Sequence, residues 1–175
     1  ANIIHSPKEY ETAIEMSLGA ALQNIVTETE QDAKKMVEYL RTNNLGRASF
    51  LPIASVKGNK LEKYNAKGIN GIIGIASDLV KFDKKYDQIV LSLLGKTVVV
   101  EDMDTAIELA KQNKYSFRIV TVKGDLINPS GAITGGSVTQ KTVNILGRGR
   151  EIEELKKQIK KLEKQKEDLE NEKEL

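Results

Sequence analysis

The sequence reads as an α+β protein: two related subdomains of mixed helix and strand, followed by one coiled-coil helix. Three observations carry that reading. The first 150 residues contain an imperfect repeat at offsets of 76 and 73, short β-branched runs alternate with helix-period segments inside each copy, and residues 151 to 175 lack both Gly and Pro. The boundaries fall at 1–66 for a first subdomain shortened at its N-terminus, 67–146 for a second, and 147–175 for the start of a coiled-coil arm.

In the first copy Ser6 is placed to cap a helix, with Pro7 at its first position and Glu9 closing a capping box, and Gly19 ends it. The aligned segment of the second copy runs from Leu79 to Gly95, with Lys8/Lys84, Tyr10/Tyr86, Leu18/Leu94 and Gly19/Gly95 identical. Ile25-Val26-Thr27 then matches the strand run Val98-Val99-Val100. Thr29 and Asp102 open the next helices as cap residues, with core stripes expected at Ala33, Met36, Val37, Leu40 and at Ala106, Leu109, Ala110. Each copy closes on a second strand, Arg47 to Leu51 facing Arg118 to Val122.

The second copy has a glycine-spaced lead-in, Gly68 to Ile75, that reads as a strand or a bulged entry. The first copy lacks it, so the N-terminus is expected to be artificial, with a matching segment and a second arm upstream. After Arg118 the turn signals Lys123-Gly124-Asp125 and Asn128-Pro129-Ser130-Gly131 describe an antiparallel meander whose last strand contains Gly135-Gly136. Glycine weakens a strand unless a bulge is required or another backbone comes close. A terminal open edge with bare glycines suits pairing with a second chain; a bulge within one subunit is the other reading.

Downstream, Ile152, Leu155, Ile159 and Leu162 alternate in steps of three and four, with Leu169 and the polar Lys166 and Lys173 on the same seam. So narrow an apolar stripe is marginal alone in water and needs a partner helix, which no other stretch of this sequence supplies.

Composition removes several chemistries. Without cysteine there are no disulfides, thiolate nucleophiles or Cys zinc sites, and a single histidine, His5, makes no ligand pair. No metal, cofactor or catalytic residue is therefore expected. No apolar run approaches the roughly 20 residues of a membrane span, and no secretory leader pattern opens the chain, so a cytoplasmic location is expected. The net charge is +2, but the final 25 residues hold 7 Lys against 9 Asp and Glu, leaving the rest basic enough to permit nucleic-acid contact. Gly95-Lys96-Thr97 imitates the end of a phosphate-binding P-loop, but the earlier glycine that motif requires is Val90, within a helix. Asp102 with Asp104, and Glu28 with Glu30, read as helix-start residues rather than an acid and base.

The ordered set of motifs resembles the hinge domain of bacterial-type structural maintenance of chromosomes (SMC) proteins. They are Tyr10-Glu-x-Ala-Ile-Glu with Leu18-Gly19, Gly46-Arg47-Ala48-Ser49-Phe50-Leu51-Pro52, Asp78-Leu79-Val80, Arg118 to Asp125, Gly131-x-x-Thr-Gly135-Gly136-Ser137 and Leu146-Gly147-Arg148. The resemblance implies a non-enzymatic dimerisation module, joining two coiled-coil arms whose ATPase heads lie elsewhere, in a nucleoid-associated homodimer. It places Gly131, Ile133, Gly135, Gly136 and Ser137 at a dimer interface, and edge logic sets Gly46, Arg47 and Phe50 opposite them. DNA contact would fall to Lys141, Arg148 and Arg150 near the coil root and to Lys34 and Lys35. Two positions depart from the family pattern, Ser130 where a second glycine is common and Ser137 to Lys141 where lysines cluster. A different class, a ligand-sensing domain on a coiled-coil linker, would instead be monomeric and stabilised by its ligand.

Overall fold

A computed structural model describes residues 2–137 and 145–173, with side chains to residue 166. The elements are α1 (Glu11–Leu18), β1 (Ile25–Thr27), α2 (Glu30–Thr42), β2 (Phe50–Pro52), β3 (Ile72–Ile75), α3 (Asp87–Leu94), β4 (Thr97–Val100), α4 (Met103–Gln112), β5 (Arg118–Thr121), β6 (Leu126–Ile127), β7 (Ile133–Thr134) and α5 (Arg148–Lys173). Both copies of the repeat thus run helix, strand, helix, strand, and in both the two strands pair in parallel, β1 with β2 and β4 with β5.

The repeat has a spatial meaning as well. His5 and Lys81, equivalent at offset 76, form an antiparallel bridge with each other, their amides donating at 2.9 and 2.8 Å. A residue pairing with its own counterpart marks an approximate two-fold axis within the chain. The exposed His5 does nothing else polar that would suggest a ligand role.

The second copy's sheet takes the order β3-β4-β5-β6-β7, antiparallel except for β4 with β5, and a register shift between Ile72 and Gly74 makes the expected bulge in the glycine-spaced lead-in. All four residues of β4 are buried because both sheet faces are covered. Val99 and Val120 point toward α1 and α3, within a cluster containing Ala13, Ile14, Leu18, Val90 and Leu94. Val98, Val100 and Ile119 point the other way, toward Ala106, Leu109 and Ala110 of α4. The first copy's leading helix therefore packs in the second copy's core.

Three expectations change. Ser6 does not cap α1: its hydroxyl donates to the Pro7 carbonyl at 3.1 Å, and Pro7, in extended geometry, leads into a 3-10 turn over Lys8–Tyr10 before α1 begins. The closing strands are two residues out of alignment, since Ile25 pairs with Phe50 whereas its counterpart Val98 pairs with Ile119. The longer α2, thirteen residues against ten in α4, and the longer loop after it, seven residues against five, together account for the slip. Most consequentially, the stripe Ala33, Met36, Val37, Leu40 is no core. Met36 and Val37 stay 44% and 38% exposed, and α2 buries none of its residues. Two three-residue strands offer too little surface to cover a thirteen-residue helix.

Both cap assignments agree with the structure. Thr29 and Asp32 form a reciprocal capping box, and the Asp102 carboxylate accepts from the Thr105 amide at 2.8 Å. Those bonds, led by the Thr29 hydroxyl for Asp32 and the Thr105 amide for Asp102, hold both carboxyls below the usual aspartate range.

Candidate functional site

Among the described residues the meander β5-β6-β7 ends on a strand paired on one side only, so the outer edge of β7 presents backbone groups that no described strand pairs. Ile133 on this edge is 57% exposed. The turn that delivers it is closed by the Gly131 amide donating to the Asn128 carbonyl at 2.8 Å, with Gly131 at φ +82°, a left-handed geometry suited to glycine. The strand stops at Thr134, so Gly135 and Gly136 follow it rather than lie inside it.

The two following glycines differ in what they require. A Cβ at Gly135 would stand 2.4 Å from Asp125 Oδ1, so that position is reserved by a contact within the chain. The same carboxylate accepts from the Gly136 amide at 3.3 Å and from the Thr121 hydroxyl at 3.1 Å, tying the end of the meander to the β5-β6 turn. Asp125 is thus a positioning residue that the sequence reading treated only as turn chemistry. Gly136, at φ +133°, has open space where a Cβ would go, and Ser137 is exposed.

A second open surface lies on the first copy. The sheet β1-β2 has two strands and so two free edges. Beside it, Val37, Leu40, Arg41, Gly46, Arg47 and Ala48 line a groove of about 360 Å³. Gly46 adopts φ +84° with open space where a Cβ would stand, Arg47 is exposed and Phe50, first residue of β2, is half-buried. The groove brings Gly46 and Arg47 against the bare apolar face of α2; Tyr39 of the helix and Leu45 in the loop after it are also open to solvent.

The candidate DNA contacts do not gather into one cluster. Lys34 pairs with Glu38 at 3.8 Å on the outside of α2, where Lys35 is also exposed. Arg148 is exposed at the start of α5. Arg150 grips Glu11 of α1 through two bonds, Nη2 to Oε2 at 2.9 Å and Nε to Oε1 at 3.3 Å, and that carboxylate raises its pKa. Lys141 lies outside the described residues. Next to the Arg150 pair, the Leu146 amide donates to Glu15 Oε1 at 2.6 Å, and Leu146 packs on the core cluster of α1. Two buried acids of α1 therefore hold the root of α5. Beyond that root Ile152, Leu155, Ile159 and Leu162 are all at least half exposed, a seam with no cover.

Among the described residues no three His, Cys, Asp or Glu side chains come together as a metal site, and no helix is long and apolar enough to cross a membrane.

A family model described as the SMC proteins flexible hinge domain matches residues 1–110. The chain is 46% identical over 153 residues to the chromosome partition protein Smc of Clostridium kluyveri, aligning 87% of this chain with 13% of that protein. It is 42% identical over 159 residues to the chromosome partition protein Smc of Bacillus subtilis, again 13% of its length. A crystal structure of an asymmetric dimer of the Geobacillus stearothermophilus SMC hinge domain superposes with a TM-score of 0.81 at 39% identity, over 94% of this chain and 66% of that one. The Pyrococcus furiosus Smc hinge domain with an extended coiled coil gives 0.67 at 31% identity, over 94% and 57%. With a family model spanning residues 1–110 and a solved hinge domain superposing over 94% of its length at 39% identity, the chain belongs to the SMC hinge domain family.

Proposed function

We propose that this chain is the dimerisation hinge of a chromosome partition protein, in which two identical copies join and each carries a coiled-coil arm toward ATPase heads outside this sequence. One observation carries the reading: among the described residues the chain leaves an open strand edge at β7 of the five-stranded sheet and an uncovered groove beside α2 and the two-stranded sheet. A two-fold pair can bury both at once, the β7 edge of each copy meeting the groove of the other, and the two contacts are then equivalent. In this arrangement Gly131, Ile133, Gly136 and Ser137 face Gly46, Arg47 and Phe50 of the second copy, while Gly135 serves the contact by leaving room for Asp125.

The subdomains of the working hinge are 1–66 and 67–146, and 147–175 begins the descending arm. The alternating apolar spacing of its bare seam calls for a facing helix, which in this reading is an ascending helix of the same polypeptide. DNA contact, where the arms leave the hinge, rests on Arg148 and Lys141 with support from Lys34 and Lys35; Arg150 contributes less because Glu11 neutralises it. Such contact must weaken steeply with added salt.

Light scattering across a dilution series tests the central point. Twice the chain mass at micromolar concentration, retained when Leu155 and Leu162 are both changed to Glu to silence the arm seam, upholds a hinge-borne dimer. A monomer at all concentrations, or a dimer that vanishes with the seam substitutions, refutes it.

A further inference from the structure

On the far side of α1 from the coil root lies a cleft of about 540 Å³, within the range of small-ligand sites. Lys57, Lys96 and Arg118 line it together with Ser17, Asn59 and Ser116, and none of its described lining residues is Asp or Glu. Neither lysine forms an ion pair among the described residues, and Arg118 uses Nη1 to hold the Ser17 carbonyl at 3.0 Å rather than a carboxylate. Three unneutralised cations in one concavity exceed the +2 of the entire chain. Helices α1 and α3 both end at the wall, and their carboxyl termini contribute about half a negative charge each, leaving about two positive charges to be met.

The cleft is built and not merely an accident of long side chains. The strap carrying Lys57 and Asn59 crosses the last turn of α3 in backbone contact. A Cβ on Gly58 would fall 2.1 Å from the Ser92 amide nitrogen, and one on Gly95 would fall 2.4 Å from the Asn59 carbonyl oxygen. The Leu61 amide donates to the Gly95 carbonyl at 2.8 Å, and the Gly58 amide to Gln88 Oε1 at 3.2 Å. Two glycines at the crossing thus bring Lys57 beside Lys96, which follows Gly95 directly. That arrangement also gives Gly95-Lys96-Thr97 a use unrelated to a P-loop, because here the lysine stands between a helix end and a strand start.

We infer that this cleft binds a phosphate group, because a multiply charged anion with several acceptor oxygens answers two free ammonium groups, a guanidinium and flanking hydroxyls together. A nucleoside phosphate and a strand of nucleic acid both present that chemistry. The cleft shares no lining residue with the proposed dimer surfaces or with Arg148, Lys34 and Lys35, and it meets the turn leading to Gly131 through Pro129, so phosphate binding and dimerisation are read out separately.

The test is a titration of the isotopically labelled full chain with inorganic pyrophosphate, followed by amide NMR. Shifts should centre on Lys57, Asn59, Lys96, Ser116 and Arg118. The double variant Lys57→Gln/Lys96→Gln should bind about tenfold more weakly or worse, while its melting temperature and mass match the parent, since both side chains are exposed and unpaired. Competition by a mononucleotide and by a single-stranded oligonucleotide then identifies the source, as the one displacing pyrophosphate at the lower phosphate concentration. Shifts centred on Arg148 or α2, unchanged affinity in the double variant, or displacement by neither competitor overturns the assignment.

Discussion

Ile133→Lys separates association from folding. In the single chain Ile133 is 57% exposed on a strand whose outer edge is free among the described residues, so an ammonium there remains hydrated and should leave the monomer intact. Fully burying an isoleucine side chain is worth about 1.5–3 kcal/mol, so covering the exposed fraction contributes roughly 1–1.7 kcal/mol per copy. A two-fold dimer contains two such contacts, about 2–3.4 kcal/mol together, or roughly 30- to 300-fold in the dissociation constant. The ammonium adds to this, because the groove also carries Arg41 and Arg47 and like charges are brought together there. Light scattering at several concentrations should show the parent dimer becoming a monomer with unchanged circular dichroism and melting profile. A variant that dimerises within about threefold of the parent would refute the placement of β7 at the interface. So would a variant that unfolds, because Ile133 would then belong to the chain's own core.

Ile14→Ala should destabilise the whole unit by about 2–5 kcal/mol, read from denaturant melts, because Ile14 is fully buried between α1 and the second copy's sheet. A loss confined to the signals of β1, α2 and β2 would contradict the shared core. The caps predict acid sensitivity. Asp32 and Asp102 ionise more readily folded than unfolded, so the stability they confer is complete above their ordinary value of 3.8 and disappears as pH falls through their lower folded values. Melting temperature should therefore drop in acid, and Asp32→Asn/Asp102→Asn, which keeps cap-type side chains without the titration, should flatten part of that drop. Glu11→Ala should speed amide exchange at residues 145–150 while leaving α3 protected, since it releases the two bonds from Arg150; unchanged exchange would show that the Glu15 bond and Leu146 packing secure the arm without Glu11.

The elements legible in the sequence were those specified by local chemistry. Thr29 and Asp102 opened their helices as read, β4 and β5 followed from unbroken β-branched runs, and the bulge of β3 followed from Gly71 and Gly74. The meander was visible from its turn residues, although its last strand ends before the paired glycines. Ser6 misled because the residue after it is Pro7, which satisfies the cap pattern in sequence while extending the backbone into a 3-10 turn. Asp125 could have been suspected only by noticing that a carboxylate in a tight turn needs donors, and those donors come from Thr121 and from Gly136, eleven residues away.

Periodicity, capping residues and turn signals act over a few positions, so the repeat, the order of helices and strands, and the apolar spacing of the arm's seam are properties the amino-acid order determines alone. Which faces are covered depends on what lies across from them, and that is decided by packing. Met36 and Val37 carry the same helical spacing as Ala106, Leu109 and Ala110, yet one stripe faces solvent and the other fills a core. The difference is the size of the sheet beneath, two strands against five, together with the docking of α1 on the larger one, and neither is written in the period of either helix.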